Sequence, residues 1–118
     1  MFRSIFRTYK QFYRFNGRAS VYEYKAYTRQ MWFLLALAFF GVGSYLYMGG
    51  TFNNNPSAPW VFFTLMVSTQ IGYPALCVRR LHDIGRSGWW IFVPLVNWLW
   101  MTMPSQDGEN DYGPPSGV

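Results

Sequence analysis

His82 and Asp83 stand side by side in residues 79–88, RRLHDIGRSG, the one charged segment in the interior of the chain. A carboxylate beside an imidazole can orient it as a general base. Adjacent residues on a helix, however, point about 100° apart, so the two side chains are poorly placed to bond each other. Adding Ser87 produces the residue types of a triad, but the spacing is not that of a nucleophile elbow. The expectation is a chain without catalytic residues.

The arginines around this pair suggest different chemistry. Arg79, Arg80 and Arg86, with Arg18 upstream, offer planar guanidinium groups suited to bidentate binding of phosphate or carboxylate. Together with His82 and Asp83 they form a candidate cluster with two readings. In one they hold helix ends together, Asp83 pairing with an arginine; in the other they contact anionic lipid headgroups. The single cysteine, Cys77, excludes an intrachain disulfide and reads as a small packed residue, with acylation the sharper alternative. One histidine makes an imidazole metal site improbable, and neither metal nor cofactor is expected.

The elements that would position these groups follow from where charge is missing. Only 13% of residues are charged and 22% are aromatic, whereas about a quarter of an ordinary soluble domain is charged. All ten Lys/Arg and all five Asp/Glu fall within residues 1–30, 79–88 and 104–118. Three uncharged apolar runs remain, 31–48, 60–78 and 89–103, and each is expected to be a membrane-embedded helix. The net charge of +5 would suit nucleic acid, but these runs leave no soluble core beneath a basic patch, so no nucleic-acid partner is expected.

Residues 1–15 carry Phe2, Ile5, Phe6, Tyr9, Phe12 and Tyr13 at helical spacing, with Arg3, Arg7, Lys10 and Arg14 on another face. This predicts an amphipathic helix at the membrane interface, with packing on other protein the plainer alternative. After Asn16-Gly17, Ser20 and Glu23 have capping-box spacing and predict a helix start. That helix should run through the first apolar run, about 28 residues and about 42 Å, and serve as an uncleaved anchor. Gly49-Gly50 and Asn53-Asn54-Asn55-Pro56 predict a short loop. In the second run Trp60 is expected to anchor at the interface and Pro74 to kink the helix.

The third run, with Ser87 as candidate cap, spans only about 22 Å if helical and is interrupted by Pro94 and Asn97. It is marginal for a straight crossing, and tilted or re-entrant arrangements stay open. Residues 104–118 read as an irregular tail. Seven basic residues precede the first run, three lie between the second and third, and none lie elsewhere. Positive residues favour the cytoplasm, which predicts N-terminus in, first loop out, second loop in and tail out. Ser68, Thr69 and Gln70 are polar within the second run, Gln70 and Asn97 sit in apolar surroundings and need partners, and Ser68 and Gly72 form a small-xxx-small pair. Helix packing is their expected role, with lining of a polar conduit the alternative.

Three segments together resemble a known family: Phe15-Asn-Gly17-Arg18-Ala19-Ser20 with Glu23-Tyr24, then Arg79-Arg80-Leu81-His82-Asp83-x-Gly85-Arg86-Ser87-Gly88-Trp89-Trp90, and Gly108-Glu-Asn110-x-Tyr112-Gly113-Pro114. They are similar to the bacterial inner-membrane family called domain of unknown function 805 (DUF805), that of the small YhaH-like proteins. The resemblance covers nearly the whole chain and implies a three-helix cytoplasmic-membrane protein, without any established activity. Val21 and Lys25 stand where the family usually has a basic residue and Trp.

The fold expected is therefore all-α: a single polytopic membrane domain of about three embedded helices plus an N-terminal interfacial helix. The expected role is a non-catalytic interaction or regulatory module touching anionic lipid through a basic face. The runner-up is a subunit of a homo-oligomeric pore or transport component, and a lipid-acting enzyme is the weaker third.

Overall fold

A computed structural model describes residues 2–50 and 55–116. Five α-helices are present among them: α1 Phe2–Lys10, α2 Val21–Tyr47, α3 Ala58–Gln70, α4 Tyr73–Asp83 and α5 Pro94–Trp100, with a 3-10 turn at Gly88–Phe92 before α5. No strand forms among the described residues, so the all-α expectation holds. Of the first loop, residues 51–54, including Asn53 and Asn54, lie outside the described residues.

The capping box forms as its spacing predicts. Glu23 N donates to Ser20 Oγ at 3.2 Å, and Ser20 N donates back to the Glu23 carboxylate at 3.1 Å. These bonds satisfy two donors that every helix start leaves open. From there α2 runs 27 residues, and its buried side chains, Glu23, Tyr24, Ala26 and Tyr27, all lie in the first two turns. Beyond them Trp32, Phe33, Leu37, Phe39 and Phe40 stand exposed. Such a surface suits lipid, which solvates apolar side chains while the helix satisfies its own backbone.

The second apolar run breaks where Pro74 predicts. α3 ends at Gln70, Ile71 and Gly72 form a turn, and α4 restarts with Pro74 in its first turn, where a missing N–H costs no hydrogen bond. Across the break the axis continues, and Ala58–Asp83 is a 26-residue stretch apolar enough to cross a bilayer, as is Val21–Tyr47. The two stretches are antiparallel: Tyr27 Oη donates to Thr69 O at 2.7 Å, and Ala19 N donates to Arg79 O at 3.0 Å.

The third run departs from expectation. Val93, at φ −107° and ψ 92°, separates the 3-10 turn from α5, because a residue before proline is pushed out of the helical region. α5 has only seven residues, about 10 Å at the usual rise. Ser87 precedes the 3-10 turn but makes no side-chain cap bond. The segment leaves and returns to one place: Arg86 N bonds Leu81 O at 2.9 Å, and Met101, buried, offers its carbonyl to Arg80. Trp90 and Trp100 meet edge to face at 5.2 Å between its limbs. Residues 89–103 are thus an out-and-back excursion and not one continuous helix.

The core consequently sits at one end of a 56 × 29 × 21 Å molecule. Ala19, Tyr24, Tyr27, Leu76, Cys77, Leu81 and Met101 pack there, joining the start of α2, the end of α4 and the returning chain. α1 lies on the same end, Tyr9 and Tyr27 rings 5.5 Å apart and Thr8 buried, while Phe6, Phe12 and Tyr13 stay exposed. Its helix stops at Lys10, short of the 15 residues the periodicity suggests.

Candidate functional site

The charged groups collect at this packed end. Asp83, in the last turn of α4, is 1% exposed and receives two arginines. Arg18 Nε reaches its Oδ1 at 2.9 Å, and Arg80 Nη1 its Oδ2 at 2.6 Å. The remaining donors of both guanidiniums go to backbone carbonyls of the returning chain. Arg80 Nε donates to Met101 O at 3.1 Å and its Nη2 to Met103 O, while Arg18 donates to Gly108 O and Gln106 O. Two buried cations on one carboxylate are tolerable because carbonyl dipoles absorb the other donors; unpaired, such charges carry a large desolvation cost.

These contacts are the ones the helix-end reading of the cluster expects. Arg18 and Arg80 direct most of their donors inward, binding the tail to the ends of the two long helices. Arg86 is exposed, its guanidinium 4.7 Å above the Trp100 ring. Arg79 differs from all of these. Its Nη1 donates to Gln11 Oε1 at 2.7 Å, but Nε and Nη2 are buried without a hydrogen-bond partner among the described residues.

His82 and Asp83 do not act as a pair. His82 Nδ1 lies 3.1 Å from Gly17 O, and its ring stacks flat on Tyr112, centroids 4.0 Å apart. With both Asp83 oxygens held by arginines, that carboxylate does not orient the imidazole. Gly17, at φ +92°, turns the chain so that its carbonyl meets His82.

The tail, expected to be irregular and on the opposite side of the membrane, is irregular but belongs to this end. Gln106 N donates to Asp83 O at 3.0 Å, Asn110 Nδ2 to His82 O at 2.9 Å, and Ser116 Oγ to the Glu23 carboxylate at 3.2 Å. Asn110 and Gly113 close a tight turn on each other. Residue-by-residue reading missed Glu23, Gln11, Tyr112 and Asn110 as members of the site. The Gly108-to-Pro114 segment of the family resemblance was the available signal for the last two.

The packing residues divide as well. Gly72 is buried, and a Cβ there would meet Tyr27 Oη at 3.2 Å and Thr8 Cγ2 at 3.4 Å, so its smallness admits α1 and α2 of the same chain. Ser68 and Gln70 are exposed and bond within α3, Ser68 Oγ to Leu65 O and Gln70 Nε2 to Thr69 Oγ1. Within this chain Gln70 makes no bond across helices among the described residues. Asn97 belongs to α5, and its side chain lies outside the described residues.

The chain is similar to two curated relatives, both named Inner membrane protein YhaI, from Escherichia coli strain K12 and Escherichia coli O157:H7. Each is 36% identical over 62 residues, covering 47% of this chain and 52% of the relative. The chain thus spans about half the length of the curated relatives it matches. No solved structure matches it. The family model described as "Protein of unknown function (DUF805)" matches residues 12–114, a stretch that includes Arg18, Arg80, Asp83 and the tail turn bonded to them, and the chain belongs to that family.

Proposed function

We propose that the chain is a two-crossing hairpin of the bacterial inner membrane whose packed end faces the cytoplasm as a non-catalytic interaction platform at the anionic leaflet. One observation carries this reading. The N-terminal segment, the ends of both long stretches and the tail are hydrogen-bonded into a single body, through Arg18, Asp83, Gln106 and Ser116. A tail outside the membrane could not make those bonds. The distribution of charge supports the same orientation, since every basic residue lies at this end and none in loop 48–57. Acidic residues in the tail contribute little to orientation and do not oppose it. α1 and residues 88–100 then lie in the interface, with Phe6, Trp89 and Trp98 at headgroup depth. Exposed Arg3, Lys10, Arg14, Lys25, Arg29 and Arg86 form the basic rim toward lipid phosphates.

The test is single-cysteine labelling with a membrane-impermeant maleimide in a Cys77→Ala background. Lys10→Cys and Glu109→Cys should label from the cytoplasmic side alone, and Ser57→Cys from the outside alone. Labelling of Glu109→Cys from outside would restore the three-crossing arrangement and remove the platform.

A second reading, the homo-oligomeric pore, draws on the exposed Ser68 and Gln70 of α3: Ser68 is bonded within its helix, but the Gln70 carboxamide has hydrogen-bonding capacity left that another copy could meet inside a bilayer. Chemical cross-linking in native membranes that yields only monomer would remove it.

A further inference from the structure

Between α1, the turn at Asn16-Gly17, α4 and the tail lies a partly enclosed cavity of about 240 Å³, lined by Arg7, Gln11, Arg14, Arg18, Arg79 and Tyr112, with residues 114–116 of the tail as its outer wall. Its lining is mainly polar, unlike the apolar grooves along the long helices. We propose that this cavity is a binding site for a phosphate-class anion, either the phosphodiester of a lipid headgroup or free phosphate. The proposal deepens the platform reading by naming the place where an anion is held, and it rests on that reading only for access to lipid.

Charge and hydrogen-bond chemistry converge on this ligand. Four guanidinium groups line the cavity and, among the described residues, no carboxylate does. Nearby, Glu23 Oε1 lies 3.5 Å from Arg7 Nε, and Asp83 is shared by Arg18 and Arg80. Arg14 and Arg79 make no salt bridge among the described residues, although the Glu23 carboxylate attracts Arg79 without bridging it. Arg7, Arg14, Arg18, Arg79 and Arg80 stand against Glu23 and Asp83, so positive charge exceeds negative at the cavity. Arg79 is 2% exposed, with Nε and Nη2 both lacking acceptors. A buried charged donor left open is costly, by more than an ordinary unmade hydrogen bond, and structures retain one where something fills it. A neutral acceptor such as water would satisfy a donor without relieving the mutual repulsion of Arg7, Arg14 and Arg79. A tetrahedral anion does both, and guanidinium forks match phosphate oxygens in pairs.

Size restricts the ligand further. Pockets for drug-sized molecules run from about 300 Å³ upward, so this one suits a phosphoryl group with a short attachment and excludes a nucleotide. The outer wall is the tail itself, held by Ser116 to Glu23. An anion bridging Arg79 and Arg14 would therefore tighten the junction of α1, α4 and tail, and binding should be read out as stability.

The experiment uses the whole chain in nanodiscs, with inorganic phosphate as probe in pure phosphatidylcholine, and retained phosphatidylglycerol measured by native mass spectrometry in mixed discs. Phosphate should raise the melting temperature of the parent saturably. Arg79→Gln and Arg14→Gln should each weaken that response about tenfold, the loss of one charge-assisted hydrogen bond, while Lys25→Gln, on the rim away from the cavity, should not. Should Arg79→Gln fail to fold, the exposed Arg14→Gln decides alone. A phosphate response lost in the cavity variants identifies free phosphate as a ligand. No phosphate response, but phosphatidylglycerol retention lost in the same variants, identifies the lipid headgroup. If neither quantity changes in the cavity variants, the site is overturned. Retention that falls only with Lys25→Gln would overturn the cavity and leave the surface platform standing.

Discussion

Arg18 and Asp83, 65 positions apart, meet through a 2.9 Å bond between Arg18 Nε and Asp83 Oδ1, both side chains withdrawn from solvent. This contact joins the segment before α2 to the end of α4, and Arg80 completes it from the other carboxylate oxygen. It makes Asp83 the hinge pin of the packed end.

Asp83→Ala should therefore leave two buried arginines without their carboxylate. Removing one partner of a buried pair costs about 3–5 kcal/mol, and unfolding in nanodiscs followed by intrinsic Trp fluorescence should show a loss of that order. A stability equal to the parent's would mean that Arg18 and Arg80 are held by backbone carbonyls alone.

Arg80→Lys separates internal bracing from lipid binding. The guanidinium spreads its donors over Met101 O, Asp83 and Met103 O, and an ammonium on a single stem cannot span all three. The variant should be destabilised equally in zwitterionic and anionic nanodiscs. A defect confined to anionic lipid would return Arg80 to a headgroup role.

Tyr112 holds the tail by stacking on His82. Tyr112→Phe keeps the ring and should leave tail protection unchanged, whereas Tyr112→Ala should release it, raising amide hydrogen exchange over residues 106–116. An aromatic stack contributes about 0.5–1.5 kcal/mol beyond its buried area, enough for up to about a tenfold rise in exchange through local opening. Equal exchange in the two variants would show that Asn110 and Gln106 hold the tail unaided.

Gly72→Leu should act within one chain and not between chains. The first added carbon already meets Tyr27 Oη and Thr8 Cγ2 at tight contact distance, and overpacking of this kind costs about 1–3 kcal/mol. Thermal melting in a detergent that keeps the chain monomeric should fall, while Phe62→Leu on α3 should melt as the parent does. A drop seen only where the protein self-associates would move Gly72 to an interface between copies.

Local rules were sufficient for several features of this fold. Charge-free runs set the two long apolar stretches, Ser20 and Glu23 set the start of α2, and Pro74 set the break between α3 and α4, because each depends on residues within a turn or on composition alone. The proximity of Val93 to Pro94 carried the break in the third run, while counting apolar residues left a marginal crossing, a tilted segment and a re-entrant one all open. Hydropathy records what a segment tolerates and not whether it crosses. The partners of Arg18, Arg80 and His82 were beyond such rules. Apart from Asp83 one turn from Arg80, they lie 21 to 95 positions away in α4, the returning chain, the tail and the Gly17 turn, among them backbone carbonyls that every residue type carries. A guanidinium has the same sequence signature whether it faces phosphate or a buried carbonyl. Which acceptor it finds depends on where the returning chain brings its backbone, and the tertiary packing decides that.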